Sequence, residues 1–157
     1  MKKDVVYLFL VYEIIVVTGD FANSGTDSRV WISLYGRTGI TPRIELVNAF
    51  PEGIDLFVES KDLSVHGVFA RGRSTRFVVQ APCVGPLTLV KITISPTEAL
   101  HPDWFLERIV VTDTNHPKWT FFFHCASWFS ANPEKGRLSR TIHGYREPTA
   151  DSQGKSN

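Results

Sequence analysis

The feature that most constrains this chain is a repeated change of pattern. Short runs rich in β-branched residues are broken at close intervals by Gly, Pro, Asn and Asp. Tyr12 to Thr18 ends at Gly19. Arg29 to Tyr35 alternates, with Val30, Ile32 and Leu34 on one side and Trp31, Ser33 and Tyr35 on the other. Gly36 and Gly39 then supply a turn. Such alternation has the two-residue period of a strand with one buried face. Arg43 to Val47, Asp55 to Glu59, Arg76 to Gln80, Leu87 to Ile94, Glu107 to Thr112 and Trp119 to His124 continue the series. No window sustains the three-and-four spacing of a helix. Only Ser130, Asn132 and Pro133 offer a start for a short one after Trp128. Short strands with regular turn signals predict an all-β fold, a sandwich or a barrel.

With 157 residues, 43% of them hydrophobic, the chain can fill one core and leave tails. We expect a leader or strand extension over 1–11, a sandwich over 12–140 and a polar, disordered tail over 141–157. The tail expectation rests on Thr149 to Asn157, which holds one Ala and no larger apolar residue. The apolar start, Val5 to Val11, is framed by Asp4 and Glu13 and is too short for a bilayer span of at least about 18 residues. Ile40 to Gly72 separates two strands by far more than a hairpin loop, and long excursions in compact domains are often functional.

A net charge of +1 gives no bulk pull toward nucleic acid, so any electrostatic partner must meet a local patch. Arg71, Arg73 and Arg76 form the closest basic cluster; it suits phosphate headgroups or an acidic partner, and equally a solvated loop. Cys83 and Cys125 are too few for a disulfide scaffold and read as two buried thiols, with one bridge as the alternative. The five histidines show no metal-ligand spacing, and no nucleophile elbow or phosphate-cradling loop occurs. Cys125 beside His124 is not a nucleophile–base pair, because adjacent strand residues face opposite ways. The expectation is therefore a non-catalytic domain.

Three segments in order carry a resemblance. The first is Tyr12 to Gly19, then Asn23-Ser-Gly-Thr-Asp27, then Val30-Trp-Ile-Ser-Leu-Tyr-Gly36. The second is His101-Pro-Asp-Trp-Phe-Leu-Glu-Arg-Ile109 running into Asp113. The third is Trp119-Thr-Phe-Phe-Phe-His-Cys125 followed by Trp128. Together they resemble the PLAT (LH2) domain of lipoxygenases, pancreatic-type lipases and polycystins, and the Leu34-Tyr35-Gly36 turn looks closest to polycystin-like members. The resemblance implies an antiparallel β-sandwich of two four-stranded sheets without a catalytic site. It implies association with a membrane lipid surface, sometimes supported by calcium, or with a protein partner. It also implies a place within a larger protein, on the cytoplasmic side of a membrane in polycystin-like members.

The candidate calcium residues follow from it: Gly19, Asp20, Asn23, Gly25, Thr26 and Asp27 in the first loop, with Glu98 as a shifted substitute for the family's second acidic stretch. That second half departs from the family pattern, since Ser95-Pro-Thr-Glu-Ala-Leu100 stands there and Arg73-Ser-Thr-Arg76 replaces a further acid. Fewer carboxylates imply weaker calcium binding. The candidate membrane or partner contacts are Phe21 and Leu100 at the loop tips, with Arg71, Arg73 and Arg76. Phe21 either dips into the partner surface or folds back over the end of the sandwich.

Overall fold

Inward-facing residues at every second position build the fold. In the computed structural model, which describes residues 9–47, 49–50 and 67–146, ten strands follow one another. They are β1 (Phe9–Thr18), β2 (Arg29–Gly36), β3 (Ile44–Glu45), β4 (Ala49–Phe50), β5 (Ser74–Pro82), β6 (Leu87–Ser95), β7 (Trp104–Asp113), β8 (Thr120–Phe129), β9 (Ser139–His143) and β10 (Tyr145–Arg146). One sheet runs β10-β8-β7-β1-β5-β4 and the other β3-β2-β6-β9, with every ladder between them antiparallel. The long members of the first sheet are β8, β7, β1 and β5; β10 and β4 add two residues each at its edges. The all-β antiparallel sandwich is thus as the sequence implies.

Ile14 and Val16 of β1 face Val30, Ile32 and Leu34 of β2 across a core that also holds Phe77, Val90, Ile92, Ile109, Val111 and Phe123. These side chains are at most 1% exposed. Each contributes about 1.5–3 kcal/mol by leaving water, so the sandwich rests on these positions rather than on surface pairs. Trp104 is fully buried and its indole N–H donates to Thr18 Oγ1 at 3.0 Å, which leaves the ring no unpaired polar atom. Burial dominates the Tyr12 phenol and pushes it up to about 12, against a hydrogen bond with the Val84 backbone and with Cys83 and Asp113 adding to the rise.

Three register shifts correct the simple alternation; in the first, Glu107 of β7 has no counterpart between Val17 and Thr18 of β1. Between Leu106 and Arg108 the β7 chain carries one residue where β8 carries Cys125 and Ala126, and the inward phase changes there. Trp104, Leu106, Ile109 and Val111 are all fully buried as a result. Ala126 takes a left-handed φ of 45° to make the turn. A third shift, opposite Gly36, skips Thr88, so Leu87 faces the core like Val90, although simple alternation sets them on opposite faces.

The domain limits also move. Strand β1 begins at Phe9, within the expected leader or strand extension over 1–11. At the other end β9 (Ser139–His143) runs across the boundary into the expected tail, and β10 (Tyr145–Arg146) lies inside it. The reason is Ile142: it pairs with Val90 and is only 6% exposed, so one inward residue ties a polar strand to the sheet. The stretch after Trp128 forms turns around Asn132, not a helix. The expected strand Asp55 to Glu59 lies outside the described residues, as does most of the 40–72 excursion.

Candidate functional site

Three connections meet at one end of the sandwich: β1 to β2 (residues 19–28), the approach to β5 (residues 67–73) and β6 to β7 (residues 96–103). A fourth, from β8 to β9, lies alongside through Lys135. Backbone and hydroxyl bonds knit the first three. Gly72 N donates to Gly19 O at 2.9 Å, and Thr26 N to Phe69 O at 3.0 Å. The Thr26 hydroxyl donates to His101 O (2.8 Å) and lies 3.0 Å from Pro102 O; Ser28 Oγ donates to Pro102 O at 2.8 Å. Ser24 Oγ donates to Gly19 O. Gly25 must be glycine because an added Cβ would sit 2.7 Å from the backbone N of Arg71.

Asp27 clasps the β6–β7 connection. Its two carboxylate oxygens accept the amide N–H groups of Leu100 (3.0 Å) and His101 (2.8 Å). Partial desolvation works to raise this carboxyl, yet the amides of Leu100, His101 and Asp27 itself, with the His101 ring, hold it below its ordinary value. The clasp fixes the backbone at Leu100, whose side chain is 85% exposed. The sequence singled out Asp27 and Leu100, but not this contact between them. A side-chain bond to backbone amides carries no residue-type signature.

Phe21 folds back and stays partly open. Its ring packs edge-on against Phe105 (4.7 Å between centroids) and Trp128 (5.7 Å), while 38% of the residue remains exposed. A Cβ on Gly19 would meet the Phe105 ring at 2.7 Å and the Phe21 ring at 2.9 Å, so the aromatic trio requires glycine there. Lys135 Nζ lies 4.1 Å from the Trp128 ring centroid and 2.9 Å from Asp103 Oδ2; Ser130 Oγ donates to Asp103 Oδ1 at 2.7 Å. An open hollow of about 220 Å³ lies between Asn23, Gly25, Leu100, His101, Pro102, Asp103 and Lys135. Trp128, Phe105 and Lys135 were not singled out as site residues by sequence. The outward alternation of Phe105, opposite the buried Trp104, was the available signal.

The candidate calcium set does not converge. Asp20 pairs with Arg71 Nε at 3.2 Å, Asp27 is taken by amides, and Glu98 is exposed on a left-handed backbone with φ 67°. Asn23 is likewise left-handed, at φ 64°, which shapes the turn. Among the described residues no three His, Cys, Asp or Glu side chains gather as a metal would need. Thr26 and Gly25 act as packing and hydrogen-bonding elements of the loop. The basic cluster also separates: Arg71 faces Asp20, Arg73 donates to Gly67 O at 3.1 Å, and Arg76 lies on the outer face of the large sheet against Glu13 at 2.7 Å.

Residues 12–143 match the family model for the PLAT/LH2 domain. This chain belongs to the PLAT/LH2 family. The PLAT domain is 32% identical over 124 residues to lipoxygenase homology domain-containing protein 1 of Homo sapiens, covering 79% of this chain and 5% of that protein. It is 26% identical over 153 residues to polycystin-1-like protein 1 of Homo sapiens, covering 90% of this chain and 5% of that one. A coral 8R-lipoxygenase, described as activated by calcium through a C2-like domain, superimposes with a TM-score of 0.63 at 21% identity. That match covers 92% of this chain and 19% of the coral enzyme. Polycystin and lipoxygenase homology, read from three motifs, is therefore shown, and the matched relatives are far longer than this chain.

Proposed function

We propose that this PLAT domain is a non-catalytic docking module whose loop end meets a lipid surface, as one part of a longer membrane-associated protein. The observation that carries this reading is Leu100, 85% exposed at the tip of a loop whose backbone Asp27 holds in place. A large apolar side chain held out into water on a fixed loop gains by entering an apolar phase. Phe21, backed by Phe105 and Trp128, offers a second and shallower apolar surface beside it. Arg71, exposed on the adjoining loop and paired with Asp20, stands at headgroup level. Two unbridged cysteines, Cys83 and Cys125, suit the cytoplasmic side of that membrane. Burial raises the Cys125 thiol, against a hydrogen bond with Ser127, which suits a packing role and not a nucleophile.

Co-sedimentation with vesicles of phosphatidylcholine and phosphatidylserine at physiological salt tests the reading. The wild type is expected to pellet with the vesicles, and Leu100→Asp to lose at least about tenfold in partitioning. Failure of the wild type to bind either neutral or anionic vesicles would reject it.

The outer face of the large sheet supports a second reading, a protein-binding role. Tyr145, Phe122, Val110 and Ile15 stand side by side across four strands, by the pairing of β10, β8, β7 and β1. Val78, Val11 and Phe9 extend the apolar surface, at 39%, 37% and 51% exposure. Val110→Lys, which leaves the loop end intact, separates the readings: it should spare vesicle binding and abolish a protein contact made here.

A further inference from the structure

The end of the sandwich that the family resemblance assigns to calcium is bridged by the protein's own cations. Calcium takes six to eight oxygens, several from carboxylates free to turn toward it. Asp20, Asp27 and Asp103, the acids nearest that geometry, are each committed. Arg71 carries the β1–β2 loop to the approach to β5 through Asp20, reinforced by the Gly72 N–H on Gly19 O. Lys135 carries the β8–β9 connection to β6–β7 through Asp103, and its stack on Trp128 reaches Phe21 of the first loop. A guanidinium and an ammonium thus join four connections, while the Asp27 clasp closes the remaining gap with two amides.

We propose that the loop end is locked by Arg71, Lys135 and the Asp27 clasp, so that it is organised, and docks, without regard to calcium. Part of this inference, the docking part, rests on the membrane reading above; the lock itself does not. A bound metal would compete with Arg71 for Asp20, or with the two amides for Asp27. Winning either contest breaks a bridge between loops in order to make another.

The test uses thermal unfolding and amide hydrogen exchange in 1 mM calcium chloride and in EGTA. A site with a dissociation constant of about 10 μM would raise Tm by roughly 5–10 °C at that calcium concentration. The lock predicts a change below about 1 °C and identical exchange at Ser24, Thr26 and Gly72. A calcium-dependent rise of several degrees in the wild type overturns it. Asp20→Asn keeps the shape and removes the charge; exchange at the Gly72 amide should then quicken about threefold in both buffers, in line with an exposed ion pair. Unchanged exchange would show that Arg71 bridges nothing, and the lock would fail. Arg71→Ala supplies the same readout from the other partner. Co-sedimentation with phosphatidylcholine–phosphatidylserine vesicles in the two buffers separates the claims. Equal binding supports both, calcium-dependent binding overturns the lock, and no binding in either rejects the membrane reading while the Tm and exchange results still judge the lock.

Discussion

The two ends of the sandwich use one device under different conditions. At the loop end Asp27 accepts the amides of Leu100 and His101 while largely in water. At the far end Asp113, only 3% exposed, accepts the Asn115 amide at 2.9 Å and faces His116 Nδ1 at 3.1 Å, under a His116 ring stacked on Trp119. Both carboxylates tie a connection to a strand. The far end buries the Asp113 carboxylate itself, although Asn115 and His116 lie at the surface, so removing it loses packing as well as an acceptor. The loop end leaves its clasp wet, so water can replace it. One end is built to hold the fold, the other to hold out a surface.

The comparison is easiest to break by removing each clasp in turn. Asp113→Ala should cost about 2 kcal/mol, roughly 4–8 °C in Tm, as the Asn115 amide and the His116 ring lose their acceptor. Asp27→Ala should cost about 0.5–1 kcal/mol by the same measurement, since its amides can turn to water. Equal losses would mean that burial does not distinguish the ends. Acid sharpens the contrast further. Asp27 titrates below its ordinary value in the folded chain, so its contribution is complete above the unfolded carboxyl pKa and disappears as pH falls through the lower folded one. Wild type and Asp27→Ala should therefore differ in Tm at neutral pH and converge below about pH 4.

How much of this was legible follows the same division. The long strands declared themselves through β-branched alternation, because the core demands it at every second position. Ile14, Val30, Ile32 and Phe77 are all buried as alternation requires. Strand β9 did not declare itself, since Ser139, Arg140, Thr141 and His143 read as surface and Ile142 alone faces inward. The bulge at Cys125–Ala126 was invisible, for it depends on strand pairing and on an alanine held at a conformation alanine disfavours. At the loop end the sequence supplied the residues, Asp20 to Asp27 and Leu100, but their partners are backbone amides and an arginine about fifty residues away in sequence. Short-range pattern says nothing about such partners. Phe21 shows it well: as a lone apolar residue in a polar loop it allowed two readings, and Phe105 and Trp128 decide that it folds back.

Ala126 offers a change of opposite sign. It adopts φ 45°, a region where an added Cβ costs roughly 1 kcal/mol relative to glycine. Ala126→Gly relieves that strain but gives the unfolded chain more freedom, so a net gain of about 0.5 kcal/mol is expected in urea unfolding. The bulge lies just before Trp128, the support of Phe21. The gain should therefore come with unchanged Phe21–Trp128 packing, read from near-ultraviolet circular dichroism. A loss of stability would mean that the β8 bulge is not set by residue 126.

The smallest effect expected on stability is the one most informative about function. Leu100 makes its contacts with solvent, so Leu100→Ala should shift Tm by less than about 1 °C, within the range of an ordinary surface change. The same variant should weaken vesicle binding about tenfold, because the leucine leaves water only when the domain docks. A residue neutral for folding and costly for docking is what separates the loop end from the far end, where Asp113 should show the reverse. If Leu100→Ala lowers Tm by several degrees, the side chain is serving the fold. The loop end would then be a second structural pole, and the docking surface must be sought on the outer face of the large sheet.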